Sequence, residues 1–217
     1  MSEVSRLSTG AEMRVRGAGP LAVVCVNGGQ RDEVAGTWSA SLEWLVHRLA
    51  PSHPRVLFAE VRYRIKSWKR LDSCIDDCLA AIEAAGGQHT VLLGYSMGGA
   101  VAIAAAGSPS VTSVVGLAPW IPDRLSLFPL DGRRLTVIHG MLDRWLPWIP
   151  GVSTGSSRRG FERARAQGIE GSYTVIPGAL HGIALRAPTG ALLPLPRAGR
   201  WAQLVAGELT RFEWTRS

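Results

Sequence analysis

The stretch LLGYSMGGAV, residues 92–101, decides the fold. TVLLGY (90–95) is an apolar, β-branched run that reads as a buried strand, and Met97 to Ala106 reads as a helix. Ser96 falls at the junction, inside Gly94-Tyr95-Ser96-Met97-Gly98, a G-x-S-x-G pattern between a predicted strand and a predicted helix. A turn this sharp pushes the serine hydroxyl out over the sheet. It leaves little room for neighbouring side chains, which accounts for glycine at 94, 98 and 99. The helix start that follows aims the Met97 amide at the space beside the hydroxyl, where an oxyanion would develop.

The same alternation extends in both directions. LAVVCVN (21–27), VLFAEV (56–61), VTSVVGLA (111–118), RLTVIHG (134–140) and SYTVIP (172–177) read as further strands. Helical spacing of apolar residues marks Leu42 to Leu49, Leu71 to Ile82 (with Cys74, Ile75, Cys78 and Leu79 on the apolar face) and Trp201 to Phe212; residues 157–167 read as a polar surface helix. Strands alternating with helices predict an α/β fold, a doubly wound, mostly parallel sheet of about six to seven strands with no separate cap domain. The chain, 1–217, is expected to form one such domain, with residues 1–20 as an N-terminal segment ahead of the first strand. The proline-rich pieces at 119–133, 144–157 and 183–198 read as loops on the rim where such sheets carry their working residues.

Composition narrows the class. Hydrophobic residues make up 46% and charged residues 19%, which fits a chain with a core and excludes a disordered one. The net charge of +7 is almost all arginine, because Lys66 and Lys69 are the only lysines. No recognition helix or aromatic-basic platform accompanies that charge, so nucleic acid is not an expected partner. Cys25, Cys74 and Cys78 show no metal-type spacing and read as buried free thiols. The first twenty residues lack the apolar core of a signal peptide and no run reaches membrane-spanning length. A cytoplasmic protein without a membrane partner is the expectation.

A serine hydroxyl attacks only when a base takes its proton, and the base needs an orienting acid. Both are expected just after later strands. VIHGMLDRW places Asp143 beyond the fifth strand, and VIPGALHGIAL places His181 beyond the sixth. The order Ser96, Asp143, His181 is the one this architecture uses.

With GYSMGG, HGMLD and GALHG on the page, the chain resembles the α/β-hydrolase family from about residue 21 to 213, in particular small lidless serine esterases and the dienelactone-hydrolase-like branch. The resemblance implies Ser96 as nucleophile, Asp143 as acid and His181 as general base, with no metal and no cofactor. It implies an oxyanion hole from the amides of Met97 and of a residue after the first strand. There the chain has Asn27-Gly28-Gly29-Gln30 in place of the usual His-Gly, and Gly29 is the chosen donor. The dienelactone-hydrolase-like branch often uses cysteine as nucleophile, where position 96 is serine. The expected reaction is cleavage of a carboxylic ester, then a thioester. An acyltransferase or perhydrolase on the same triad is the alternative, and a catalytically inactive binding module with the same fold is the second.

Other residues complete the expectations. Gln30, Trp120, Trp145 and Trp148 are candidates for an apolar substrate pocket. The basic run RYRIKSWKR (62–70) could attract the anionic part of coenzyme A or an acidic carrier. Asp123 is a rival for the acid. His139 is expected to pack or bond locally, Asp76 and Asp77 to face solvent, and His47, His53 and His89 to lie at the surface.

Overall fold

The computed structural model describes residues 3–143 and 151–214. Two short strands, β1 (Val4–Arg6) and β2 (Glu12–Arg16), precede six longer ones: β3 (Leu21–Val26), β4 (Val56–Arg62), β5 (His89–Tyr95), β6 (Val111–Leu117), β7 (Arg134–Gly140) and β8 (Glu170–Ile176). They form one sheet in the order β1-β2-β4-β3-β5-β6-β7-β8. The strands from β4 to β8 in that order run parallel, and β1 and β2 extend one edge antiparallel. The helices are α1 (Ala40–Leu49), α2 (Leu71–Ala85), α3 (Met97–Ala105), α4 (Thr154–Ala166) and α5 (Ala198–Trp214).

The central strand β3 is buried at every position, as a strand covered on both faces must be. Its side chains alternate between two cores. Val24 and Val26 join Leu92, Cys74, Cys78, Val101 and Phe161 beneath α2, α3 and α4. Val23 and Cys25 join Leu93, Leu42, Leu45, Trp201 and Val205 beneath α1 and α5. Each fully buried leucine or valine contributes about 1.5–3 kcal/mol, so the covering helices are held mainly by these faces. Local signals set their ends: the Ser39 hydroxyl accepts the Leu42 amide at the start of α1, and Gly86 closes α2 at φ 60°.

Several expectations need correction. The sheet has eight strands, because part of the 1–20 segment pairs with β4. EMRVR alternates as a half-buried strand does: Met13 is buried, and Arg14 on the other face reaches Glu60 (2.8 Å) and Glu43 (2.6 Å). The 183–198 loop contains a hairpin of β9 (Ala184–Arg186) and β10 (Leu192–Pro194), tied to the same acid by Arg186 and Glu43. The helix read as a polar surface element buries Ser157, Gly160, Phe161 and Ala164. Leu79 is 41% exposed and lies off the apolar face of α2. Asp77, expected in solvent, has a fully buried side chain that receives the Arg64 Nε–H at 2.7 Å. His53 is also buried, bonded to Glu213 at 2.7 Å across the α1–α5 side of the sheet.

Candidate active site

Ser96 lies between the last residue of β5 and the first of α3, at φ 55° and ψ −119°. This conformation is strained for a residue with a Cβ. It is held by backbone hydrogen bonds: the Ser96 amide donates to the Leu117 carbonyl at 2.9 Å, and the Ser96 carbonyl accepts from Trp120 at 2.8 Å. The turn fits only because its flanks are glycine. A Cβ on Gly98 would meet the Val26 carbonyl oxygen, and one on Gly94 would meet the Gly98 carbonyl.

Asp143 follows β7 and His181 follows β8, on the same rim of the sheet. The His181 Nε2 lies 3.1 Å from the Ser96 Oγ, and its Nδ1 lies 2.6 Å from Asp143 Oδ2. Nδ1 faces a carboxylate, so it carries the proton, and Nε2 is left to accept one from the hydroxyl. His181 is 11% exposed at the side chain and Asp143 is sealed. Tyr95 backs the His181 ring at a centroid distance of 5.2 Å.

Asp143 has a second histidine. His139 Nε2 lies 2.9 Å from the same Oδ2, and its Nδ1 lies 2.7 Å from the Ser157 Oγ. The Val152 amide donates to Asp143 Oδ1 at 3.1 Å. Burial pushes the Asp143 carboxyl up. The hydrogen bonds from His139 and His181 outweigh it and hold the group below the usual carboxylate range. His139 thus bonds locally, as expected. Its link to this particular acid was not foreseen, although HGMLD sets the two at i and i+4.

The loop after β3 closes over the turn. Gly28 presents its α-carbon face to Ser96, and a Cβ there would lie 3.1 Å from the Ser96 Cβ. Gly29 packs on the Met97 thioether so closely that a Cβ would overlap it. Asn27 pins this loop. Its Oδ1 accepts the Gly28 amide at 2.7 Å, its Nδ2 donates to Thr37 at 3.0 Å, and its carbonyl accepts the Tyr63 hydroxyl at 3.0 Å. The Gly28 amide is thereby committed to Asn27.

Among the pocket candidates, Gln30 and Trp120 are half-buried beside the turn, whereas Trp145 and Trp148 lie outside the described residues. An open groove lined by Thr112, Ser113, Arg134 and Phe212 lies at the other end of the sheet and holds none of these groups. Asp123, the rival acid, is 85% exposed and pairs with Arg163. The thiols are no substitute for Ser96: burial pushes Cys74 up to about 11 and Cys78 to about 12. In the basic run, Arg62, Arg64 and Arg70 pair with Glu12, Asp77 and Glu33, and Lys66 bonds Thr37. Among the described residues no cluster of His, Cys, Asp or Glu is arranged to hold a metal ion, and no helix is long and apolar enough to cross a membrane.

A mostly parallel, doubly wound sheet with a strained serine turn, an acid and a histidine on one rim defines a class of hydrolase folds. The chain belongs to the Alpha/beta hydrolase family, whose sequence profile matches residues 23–215. No curated protein matches the chain. Among solved structures it is similar to a sugar hydrolase, YeeB, from Lactococcus lactis (15% identity, 100% of each chain covered, TM-score 0.68). It is also similar to the dienelactone hydrolase-like promiscuous phosphotriesterase P91 from metagenomic libraries (16% identity, 96% of each chain, TM-score 0.65). A third is Est1E from Butyrivibrio proteoclasticus (12% identity, 97% of this chain and 98% of that one, TM-score 0.66). At such identities the likeness speaks for the fold. Family membership and the grouping of serine and histidine side chains around Asp143 are consistent with a hydrolase of the Ser-His-Asp type.

Proposed function

We propose that this chain is a serine hydrolase that cleaves carboxylic esters through an acyl-enzyme on Ser96. The observation that carries the reading is the continuous path from Ser96 Oγ through His181 to Asp143, at 3.1 and 2.6 Å, starting from a serine held at φ 55°. His181 Nε2 takes the hydroxyl proton as Ser96 Oγ bonds to the acyl carbon. The carbonyl electrons move onto oxygen, and the amides of Met97 and Gly29 receive that oxyanion. The electrons return, the bond to the leaving alcohol breaks, and His181 delivers the proton to it. Water, deprotonated by the same histidine, then releases the acid. Asp143, ionised throughout, holds the His181 tautomer.

Esters are placed ahead of coenzyme A or carrier thioesters, because the charges of Arg62, Arg64 and Arg70 are already taken up by acids. A substrate pocket over Ser96 would include Gln30 and Trp120. The three free buried thiols suit a reducing compartment such as the cytoplasm.

Fluorophosphonate labelling read by intact mass tests the reading. Wild type should take up one adduct, and Ser96→Ala and His181→Ala should take up none. No adduct on folded wild type would return the chain to the binding-module alternative. Product analysis with added alcohol or peroxide separates hydrolysis from acyl transfer.

A further inference from the structure

The side chain of Asp143 is sealed from water, so its acceptor sites have to be met by protein. Among the described residues three N–H groups meet them: Val152 on Oδ1, and both His181 and His139 on Oδ2. The His139 ring is also fully buried and reaches no substrate. Its Nε2 faces two acceptors at 2.9 Å, Asp143 Oδ2 and the Val152 carbonyl, so Nε2 carries the proton. Its Nδ1 faces the Ser157 hydroxyl at 2.7 Å, and Ser157 in turn faces the Tyr173 hydroxyl at 2.7 Å. In the neutral ring His139 donates to the carboxylate and Ser157 donates to His139 Nδ1, while the Tyr173 hydroxyl lies 2.7 Å from the Ser157 Oγ and 2.9 Å from the Thr154 carbonyl. The chain spans three elements, with Tyr173 on β8, Ser157 on α4 and His139 on β7.

We infer that His139 is a positioning residue for the triad: aimed by Ser157 and Tyr173, its Nε2–H fixes the Asp143 carboxylate so that His181 points at Ser96. The inference rests on the reading of Ser96, His181 and Asp143 as the reacting groups. A histidine that only filled space could bond to any nearby carbonyl. This one bonds to the single oxygen that orients His181, so moving it moves the base. It also lowers the demand of that oxygen for the His181 proton, because two donors share it.

Among the described residues, few other titratable and charged groups surround His139. Asp143 faces it from just after β7, the Val152 carbonyl from just before α4, and Ser157 from within α4. Tyr173 stands behind Ser157 with the Arg158 guanidinium 4.3 Å above its ring, and Glu162 acts on Tyr173 from the same helix.

The experiment is the rate of Ser96 phosphonylation by a fluorophosphonate, with loss of fluoride, as a function of pH, which needs no natural substrate. Wild type, His139→Leu, His139→Gln and Ser157→Ala are compared, each checked for folding by thermal melting. His139→Leu should label about 10- to 100-fold more slowly, since a displaced base loses alignment. Its acid limb should move to higher pH, because a carboxylate with one donor fewer holds the His181 imidazolium more tightly. His139→Gln keeps an N–H near the Nε2 position and should restore most of the rate and the wild-type limb. Ser157→Ala should fall between them. A folded His139→Leu with the wild-type rate and limb overturns the inference, as does a His139→Gln that behaves like His139→Leu. Should His139→Leu not fold, His139→Gln and Ser157→Ala decide: identical profiles for Ser157→Ala and wild type overturn it. An absent adduct on wild type is a different result, since it removes the proposed function and this inference with it.

Discussion

Two serine–histidine pairs converge on Asp143. Ser157 and His139 stand 2.7 Å apart and Ser96 and His181 stand 3.1 Å apart, so distance alone favours the pair that the sequence did not single out. The surroundings reverse that order. Ser157 lies inside α4 and is fully buried, its Oγ also 3.2 Å from the Thr154 carbonyl one turn back. Ser96 is lifted on a left-handed turn at the start of α3, beside the Met97 amide and under the Gly28–Gly29 backbone. A hydroxyl beside an imidazole becomes a nucleophile only where a substrate can reach it and where the new negative charge meets donors. On the proposed reading, the same residue types therefore give a reactive site on one side of Asp143 and a buried support on the other.

The largest test of that contrast exchanges the serines. Ser96→Ala should lower ester turnover by about 10⁴-fold or more, whereas Ser157→Ala should stay within about a hundredfold and cost about 1–2 kcal/mol of stability. Comparable losses in both variants would erase the distinction.

Asp143→Asn strikes both pairs at once. Turnover should fall by about 10⁴-fold, because the His181 tautomer is no longer enforced. The carboxyl is held below its usual range in the folded chain, so its stabilisation is complete above about pH 4 and is lost as pH falls through the lower, folded value. Denaturant melts of wild type and Asp143→Asn should therefore differ most near neutrality and converge on acidification. A gap that is independent of pH would mean the carboxylate is not specially held.

Gly98→Ala sharpens the backbone half of the comparison. The new methyl group would press on the Val26 carbonyl, which is main chain and cannot swing away. A loss of about 1–3 kcal/mol and slower labelling are expected, against the small gain that alanine brings to most exposed helical sites. Unchanged melting and labelling would show that the elbow has room. Smallest of all is Asp123→Asn: this exposed acid should leave turnover unchanged and stability within about 0.5 kcal/mol, and a large loss of activity would reinstate it as the acid.

The strands that carry the site were legible because each is a short apolar run closed by glycine or proline, and the site residues follow their carboxyl ends. LAVVCV and TVLLGY have no solvent-facing alternation to confuse with a surface strand, and the structure buries nearly all of both. The strands that escaped notice are polar or very short. EMRVR carries Glu12, Arg14 and Arg16 on one side, and ALR and LLP are three residues each, too brief for any period to register. The buried Asp77 and His53 escaped for a different reason: each is made tolerable by a partner distant in sequence, Arg64 or Glu213.

Ser96, Asp143 and His181 could be chosen from the sequence because each sits in a local turn whose position relative to its strand is fixed by a few neighbouring residues. The pairing of His139 with the same carboxylate, and the relay through Ser157 and Tyr173, could not. That relay depends on how α4 and β8 pack against β7, and on burial that leaves a carboxylate no water to bond. Local backbone chemistry is written in adjacent residues, whereas the satisfaction of a buried polar group is settled only when distant segments exclude solvent together.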